Sequence, residues 1–376
     1  MKTLAAIALG IVASVLLVRH HRVDVRLVAE DPSAPLKRIA IHYAPNADRV
    51  ALGVWKQLFA VLPASVEVEV EVGQASDFDR LIRELAGTPN LGRLHPVVVG
   101  APITTWSRDR YAALDDGSIL APPLVEAADR AGDARSPAAI SRALYHQEPR
   151  VAGFAFEGGD LAATPHFVFA DANLARRNLA RGNDVDRGTI EQEIRHRLSQ
   201  ELIWLGDKPG DVPQHHIMMY MMPLDDTTVA VGDVRAGVKL LAHEPAGESL
   251  ELDDVEVQAA RFDRAAQLLA AKGFHVVRVP ALVLDGGGSF VTYTNALFDR
   301  TAPPSGGAAS RGEAPLGDRH GARRVVYLPT YGLPALDRAA EELYANLGFD
   351  VHPIDVSAIY QLDGSLGCLV NVLARG

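Results

Sequence analysis

QHHIMMYMMPLDDTTVAVGD, residues 214–233, is the stretch on which the fold reading turns. It opens with two histidines that lead into a strand, and Thr228–Gly232 reads as a second strand rich in β-branched residues. A helical pattern at 254–272 and a strand at His275–Val279 follow, completing a strand–strand–helix–strand unit. The same rhythm runs on both sides. Toward the N-terminus lie a strand at Arg38–Tyr43, a helix at 47–62, an alternating strand at Val66–Val72, a helix at 77–87 and a strand at Pro96–Val99. Phe167–Ala170, a helix at 189–200 and Leu202–Leu205 repeat it. Ser289–Thr294, Val325–Leu328, a helix at 334–347 and Asp350–Ile354 close it. Strands alternating with amphipathic helices place the chain in the α/β class. Roughly five such units fit the chain at this spacing, without sequence repetition between them.

Composition narrows the possibilities. The 376 residues are 48% apolar and 22% charged, a folded globular balance that excludes a disordered chain and a multi-span membrane protein. Formal charge is −10, and beyond residue 22 the chain carries 34 basic against 47 acidic residues, or −13. So acidic a surface argues against a nucleic-acid partner and is compatible with a small cationic substrate. A single cysteine, Cys368, excludes an intramolecular disulfide and a multi-cysteine zinc site. No HExxH spacing organises the 13 histidines, and the Asp225-Asp226 pair has no such companion. No metal or organic cofactor is expected.

Two segments lie outside the repeating plan. Thr3–Val18 is an uncharged apolar run between Lys2 and Arg19-His20-His21-Arg22. It reads as a signal peptide or membrane anchor over residues 1–22, placing the protein at the cell envelope, anchored or exported, on a side left open. Residues 301–322, TAPPSGGAASRGEAPLGDRHGA, are rich in Gly, Pro, Ala and Ser and read as a flexible insertion within one domain spanning 37–376.

Four separated clusters can carry chemistry. WSRD at 106–109 sets Asp109 between two arginines, as a solvated ion pair or as a carboxylate at a strand end able to accept a guanidinium's N–H fork, with Trp106 and Arg108 beside it. EGGD at 157–160 is a plain loop or a tight turn in which Gly158-Gly159 aim Glu157 and Asp160. In 214–233 stand His215, His216 and four of the five methionines, at 218, 219, 221 and 222. Thioethers are soft and suit an apolar pocket wall. On a strand, adjacent histidines point to opposite faces, so one at most would face a site. DGSLGCLVNVL at 363–373 places Cys368 after two glycines, as a buried residue or as a nucleophile on the last strand, with the glycines giving a substrate room.

Taken in order, WSRD, EGGD, HIMMYMMPLDDTTVAVGD, YLPTYG at 327–332 and GSLGCLVN at 364–371 resemble the guanidine-modifying pentein superfamily. The nearest likeness is to its agmatine deiminase and bacterial-type peptidylarginine deiminase branch, and it covers residues 106–371. The resemblance implies a five-bladed pseudo-symmetric ββαβ propeller and a cysteine hydrolase acting on agmatine, arginine or an N-substituted guanidine, peptidyl arginine included. It implies Cys368 as nucleophile, His216 as acid/base, Glu157 as its carboxylate partner and Asp109 as a guanidinium ligand, with Trp106, Asp160 and Met218 also at the substrate. A thiolate is the strongest side-chain nucleophile near neutral pH, which suits the poorly electrophilic guanidinium carbon. Transfer of the amidino group to an amine is the alternative outcome.

One position departs from the family. Its strand reads H-x-D, and the Asp grips the guanidinium from its second side; here that position is Met218, and Met222 stands where Thr is common. Losing that charge-assisted contact removes about 1.5–3 kcal/mol. Either an apolar wall admits an N-substituted guanidine, or catalysis is lost and the chain is a binding module. Retention of Cys368, His216, Glu157 and Asp109 favours the first. Oligomeric state is not legible in the sequence.

Overall fold

Runs of β-branched and aromatic residues set the frame of the computed structural model, which describes residues 24–45, 50–123, 130–180, 182, 185–244, 250–284, 286, 288–301 and 322–376. LKRIAIHY forms β1 (Leu36–Tyr43). Helix α1 (Ala51–Val61) buries Val54, Trp55, Leu58 and Phe59, a stripe at helical spacing. It leads to β2 (Glu67–Val72), which lies parallel to β1. Helix α2 (Ala75–Glu84) and the parallel strand β3 (Leu94–Val98) follow. The EVEVEV alternation of β2 predicts one wet face, but the structure buries both. Glu71 is fully buried, with its carboxylate accepting from the Tyr111 hydroxyl at 2.7 Å and lying 3.4 Å from His42.

The plan then recurs. The second round is β4 (Ala112–Ala113), β5 (Ile119–Ala121), α3 (Ser136–Tyr145) and β6 (Arg150–Val151). The third is β7 (Ala162–Ala163), β8 (Phe167–Asp171), α4 (Ala172–Ala180), α5 (Arg187–Arg197) and β9 (Glu201–Leu205). The fourth is β10 (Met221–Pro223), β11 (Thr228–Asp233), α6 (Val234–Leu241), α7 (Val255–Ala271) and β12 (His275–Val283), to which β13 (Phe290–Thr292) adds. The fifth is β14 (Leu297–Thr301), β15 (Arg323–Thr330), α8 (Pro334–Asn346) and β16 (Phe349–Asp355). A short helix α9 (Leu366–Leu369) and β17 (Val370–Arg375) end the chain.

The described strands form five sheets. In each, one strand is antiparallel to a second, which is parallel to a third across a helix. In the first sheet the antiparallel strand is β17, so the end of the chain pairs with its beginning. The 112–151 unit escaped the sequence reading because strands of two or three residues, AA, ILA and RV, show no alternation. The apolar run at 1–22 lies outside the described residues, as does almost all of the 301–322 insertion. Among the described residues no helix is long and apolar enough to cross a membrane.

Arg375 fastens this closure. Its guanidinium donates to the carbonyls of Ala29 (2.6 Å), Ala34 (2.8 Å), Glu30 (3.0 Å) and Phe298 (2.9 Å). Replacing it with Ala leaves these acceptors unpaired, and a loss of about 3 kcal/mol is expected from the denaturant midpoint at unchanged slope.

Candidate active site

The four clusters meet at one cleft of about 390 Å³, whose lining includes Trp106, Asp109, Arg130, Glu157, His216 and Cys368. Cys368 does not sit on the last strand. It lies in α9, two residues ahead of β17, and is 5% exposed. Its sulfur is 3.8 Å from the Met219 sulfur and 3.7 Å from Asn295 Oδ1. The two glycines before it serve packing rather than substrate room. A Cβ on Gly364 would stand 2.2 Å from the Trp106 ring, and one on Gly367 2.8 Å from Asn295 Oδ1. The hydroxyl of Tyr331, from YLPTYG, bonds the Ser365 hydroxyl at 2.7 Å and braces the turn.

Asp109 closes the turn Ser107–Asp109, which is tied to α9 and β17. Ser107 Oγ donates to the Leu369 carbonyl at 2.9 Å, and Asn371 Nδ2 to that of Tyr111 at 2.9 Å. EGGD folds as a tight turn in which the Asp160 carboxylate accepts from the Glu157 N–H at 2.8 Å. Both glycines are required by close approach. A Cβ on Gly158 would lie 2.1 Å from the Arg108 carbonyl oxygen, and one on Gly159 2.6 Å from His216 Nδ1. Asn173 places the histidines, donating to the carbonyls of Pro213 at 2.8 Å and His215 at 3.3 Å.

His216 Nε2 is 2.8 Å from Glu157 Oε2, and Nδ1 is 4.0 Å from Asp109 Oδ1. Burial disfavours the imidazolium, but the neighbouring Cys368, the hydrogen bond with Glu157 and the charges of Asp160 and Asp109 outweigh it, raising His216 well above the ordinary histidine value. Burial opposes ionisation of Glu157 as well. The bond and charge of His216, then Arg177 and Arg110, overcome it and hold this carboxyl below the usual range. Burial and the neighbouring Glu157 push Asp109 up to about 6, against His216, Arg110 and Arg177. His215 lines the same cleft. Burial, then the His216 and Arg177 charges, push it down to about 3, and its Nδ1 accepts the His216 N–H at 2.7 Å.

Solved structures of similar shape now bear on this geometry. One is a cysteine-to-serine variant of the C. jejuni agmatine deiminase with substrate bound: TM-score 0.65, 15% identity, covering 94% of this chain and 97% of that one. Another is the agmatine deiminase of Enterococcus faecalis: TM-score 0.62, 15% identity, covering 93% of this chain and 96% of that one. The chain has the agmatine deiminase fold. No protein-family model and no curated protein matches the sequence.

Within the agmatine deiminase fold, the residues singled out from the sequence divide. Asp109, Glu157, His216, Cys368 and Trp106 line the cleft. Asp160 does not: it is 2% exposed, turned back as the cap of its own turn and bonded to Arg177 at 2.9 Å. Met218 does not line it either. It is 2% exposed in the main apolar cluster, because His216 leads into the turn Ile217–Met219 rather than a strand, and alternation starts only at β10. The same turn lets both histidines reach the cleft. Arg130, Arg177 and Asn295 were missed, having no motif around them; only tertiary contact reveals them.

Glu157, Asp160 and His216 offer ligand atoms within 4.8 Å of one another. Arg177 already bonds both carboxylates, at 2.7 Å and 2.9 Å, so their charge is offset by a guanidinium.

Two outcomes follow. Glu157→Gln removes a partner of the imidazolium, so the His216 pKa falls toward 6.5 in an NMR titration. By linkage, the stability from His216 is full below 6.5 and lost as pH rises through its higher folded value, while that from Glu157 is full above about 4.5 and lost as pH falls through its lower one. Denaturation at pH 7 and pH 3 would find the Glu157→Gln penalty smaller at pH 3. Met218→Asp buries an unpaired carboxylate among apolar side chains and costs about 3 kcal/mol or more, read from the thermal midpoint.

Proposed function

We propose that the protein is a cysteine-dependent hydrolase of a guanidino compound: agmatine, arginine or an N-substituted guanidine. The observation that carries this reading is the convergence of Cys368, His216, Glu157 and Asp109 on one cleft from four distant parts of the chain. Thiolate attack on the guanidinium carbon forms a C–S bond and a tetrahedral adduct. The adduct collapses as His216 gives its proton to the departing nitrogen, leaving a thiouronium on Cys368 and releasing ammonia or an amine. Water then adds to the same carbon, its proton passing to His216, and the C–S bond breaks to free a ureido product and the thiol. Glu157 holds the ring and its charge; Asp109 faces the cation. The raised His216 value suits the protonated form that the leaving nitrogen requires.

Agmatine deiminases sharing this fold support the reaction class. The reading extends to architecture and location: the five sheets as blades of a pseudo-symmetric propeller, and residues 1–22 as an anchor or export signal. Fractionation of cells expressing the full chain should place it in the envelope, and recovery in the soluble cytoplasm would remove that part.

A panel of guanidines, assayed for ammonia and ureido product, tests the chemistry. Cys368→Ala should reduce turnover at least a thousandfold; retained turnover eliminates Cys368 as nucleophile. Product carrying the amidino group on an added amine would redirect the reading to a transferase.

A further inference from the structure

The Asp109 and Glu157 carboxylates already hold a guanidinium, and it belongs to the chain. Arg130 NH2 is 2.8 Å from Asp109 Oδ2, NH1 is 3.5 Å from Glu157 Oε1, and Nε is 3.5 Å from Asp133 Oδ2. Arg130 shares the cleft lining with Cys368 and His216. We propose that Arg130 is the resident occupant of the substrate's guanidinium seat, so that a guanidine binds by displacing an internal one. This rests on the hydrolase reading above and adds to it a built-in competitor.

The contacts separate Arg130 from its neighbours. Arg110 has a side chain 1% exposed, and Arg177 grips Glu157 at 2.7 Å and Asp160 at 2.9 Å. Arg130 is 24% exposed, as Arg177 is, but among the described residues two of its three carboxylate contacts are long, at 3.5 Å. Its departure opens Asp109 to an incoming guanidinium while the other carboxylates keep close partners. Asp133 keeps the Thr104 N–H and hydroxyl, both at 2.7 Å, and Asp109 keeps Arg110 at 3.8 Å. Exchange of one guanidinium for another leaves the charge of the site unchanged. A tethered competitor acts at an effective concentration on the order of millimolar. If it fills the seat about 90–99% of the time, the apparent dissociation constant of an external guanidine rises about 10- to 100-fold.

Alkylation of Cys368 in the full chain tests this, with cationic 2-chloroacetamidine as guanidinium mimic and neutral iodoacetamide as comparator. Arg130→Gln should speed chloroacetamidine labelling about tenfold or more, leave iodoacetamide within about threefold, and lower the agmatine concentration for half-protection about tenfold. Arg130→Lys keeps the charge but not the planar fork, and its rate should fall between the two. It also carries the test should Arg130→Gln unfold on heating below the native midpoint. Equal acceleration of both reagents overturns the proposal, as does a gain in Arg130→Gln with Arg130→Lys at the native rate, which marks loss of charge alone. Ammonia release by the native chain with no gain in either variant overturns this inference and leaves the hydrolase reading standing. Absence of labelling and of guanidine protection in every form overturns both.

Discussion

Glu157 is the hinge of the molecule's electrostatics. Its carboxylate is nearly buried, and removing a charge from water costs several kcal/mol unless partners replace the solvent. His216 and Arg177 sit on one of its oxygens and Arg130 near the other. Each partner comes from a different part of the chain, so the ion cluster can form only when the third and fourth sheets and the 130–135 segment are all in place. Stability of the fold and assembly of the cleft are therefore one requirement.

Close packing makes the geometry narrow. Gly158, Gly159, Gly364 and Gly367 each lie where a methyl group would overlap a neighbour: the Arg108 carbonyl, the His216 ring, the Trp106 ring or the Asn295 amide. These contacts bring the Asp109 turn, the Glu157 turn, the histidine pair and the Cys368 helix together without side chains in between. Side chains donating to backbone carbonyls then fasten them. Ser107 and Asn371 lock the Asp109 turn to α9 and β17, and Asn173 locks the histidines. Catalysis of the proposed kind needs reacting groups held to fractions of an ångström, and side chains set on such turns lose little freedom on binding.

Much of this was legible in the sequence. The alternation of β-branched runs with helical stripes specified the long strands and most helices, because a strand or helix with one buried face writes its period into the chain. Asp109, Glu157, His216 and Cys368, singled out from their motifs, do meet at one cleft. Short strands such as Ala112–Ala113 left no period to read. The resemblance put Met218 at the substrate, but the turn Ile217–Met219 after His216 carries it into the apolar core. Asp160 read as a ligand, although its carboxylate closes its own turn.

By itself, then, the sequence determined the long strands, most of the helices and the side chains that were candidates for chemistry, all of which depend on local propensity and side-chain type. Tertiary structure decided the rest: which histidine meets Glu157, that Met219 rather than Met218 touches the thiol, and that Arg130 lies against Asp109. Ion pairs act over a few ångströms between residues tens to hundreds of positions apart, and such neighbours leave no periodic trace in the chain that folds to create them.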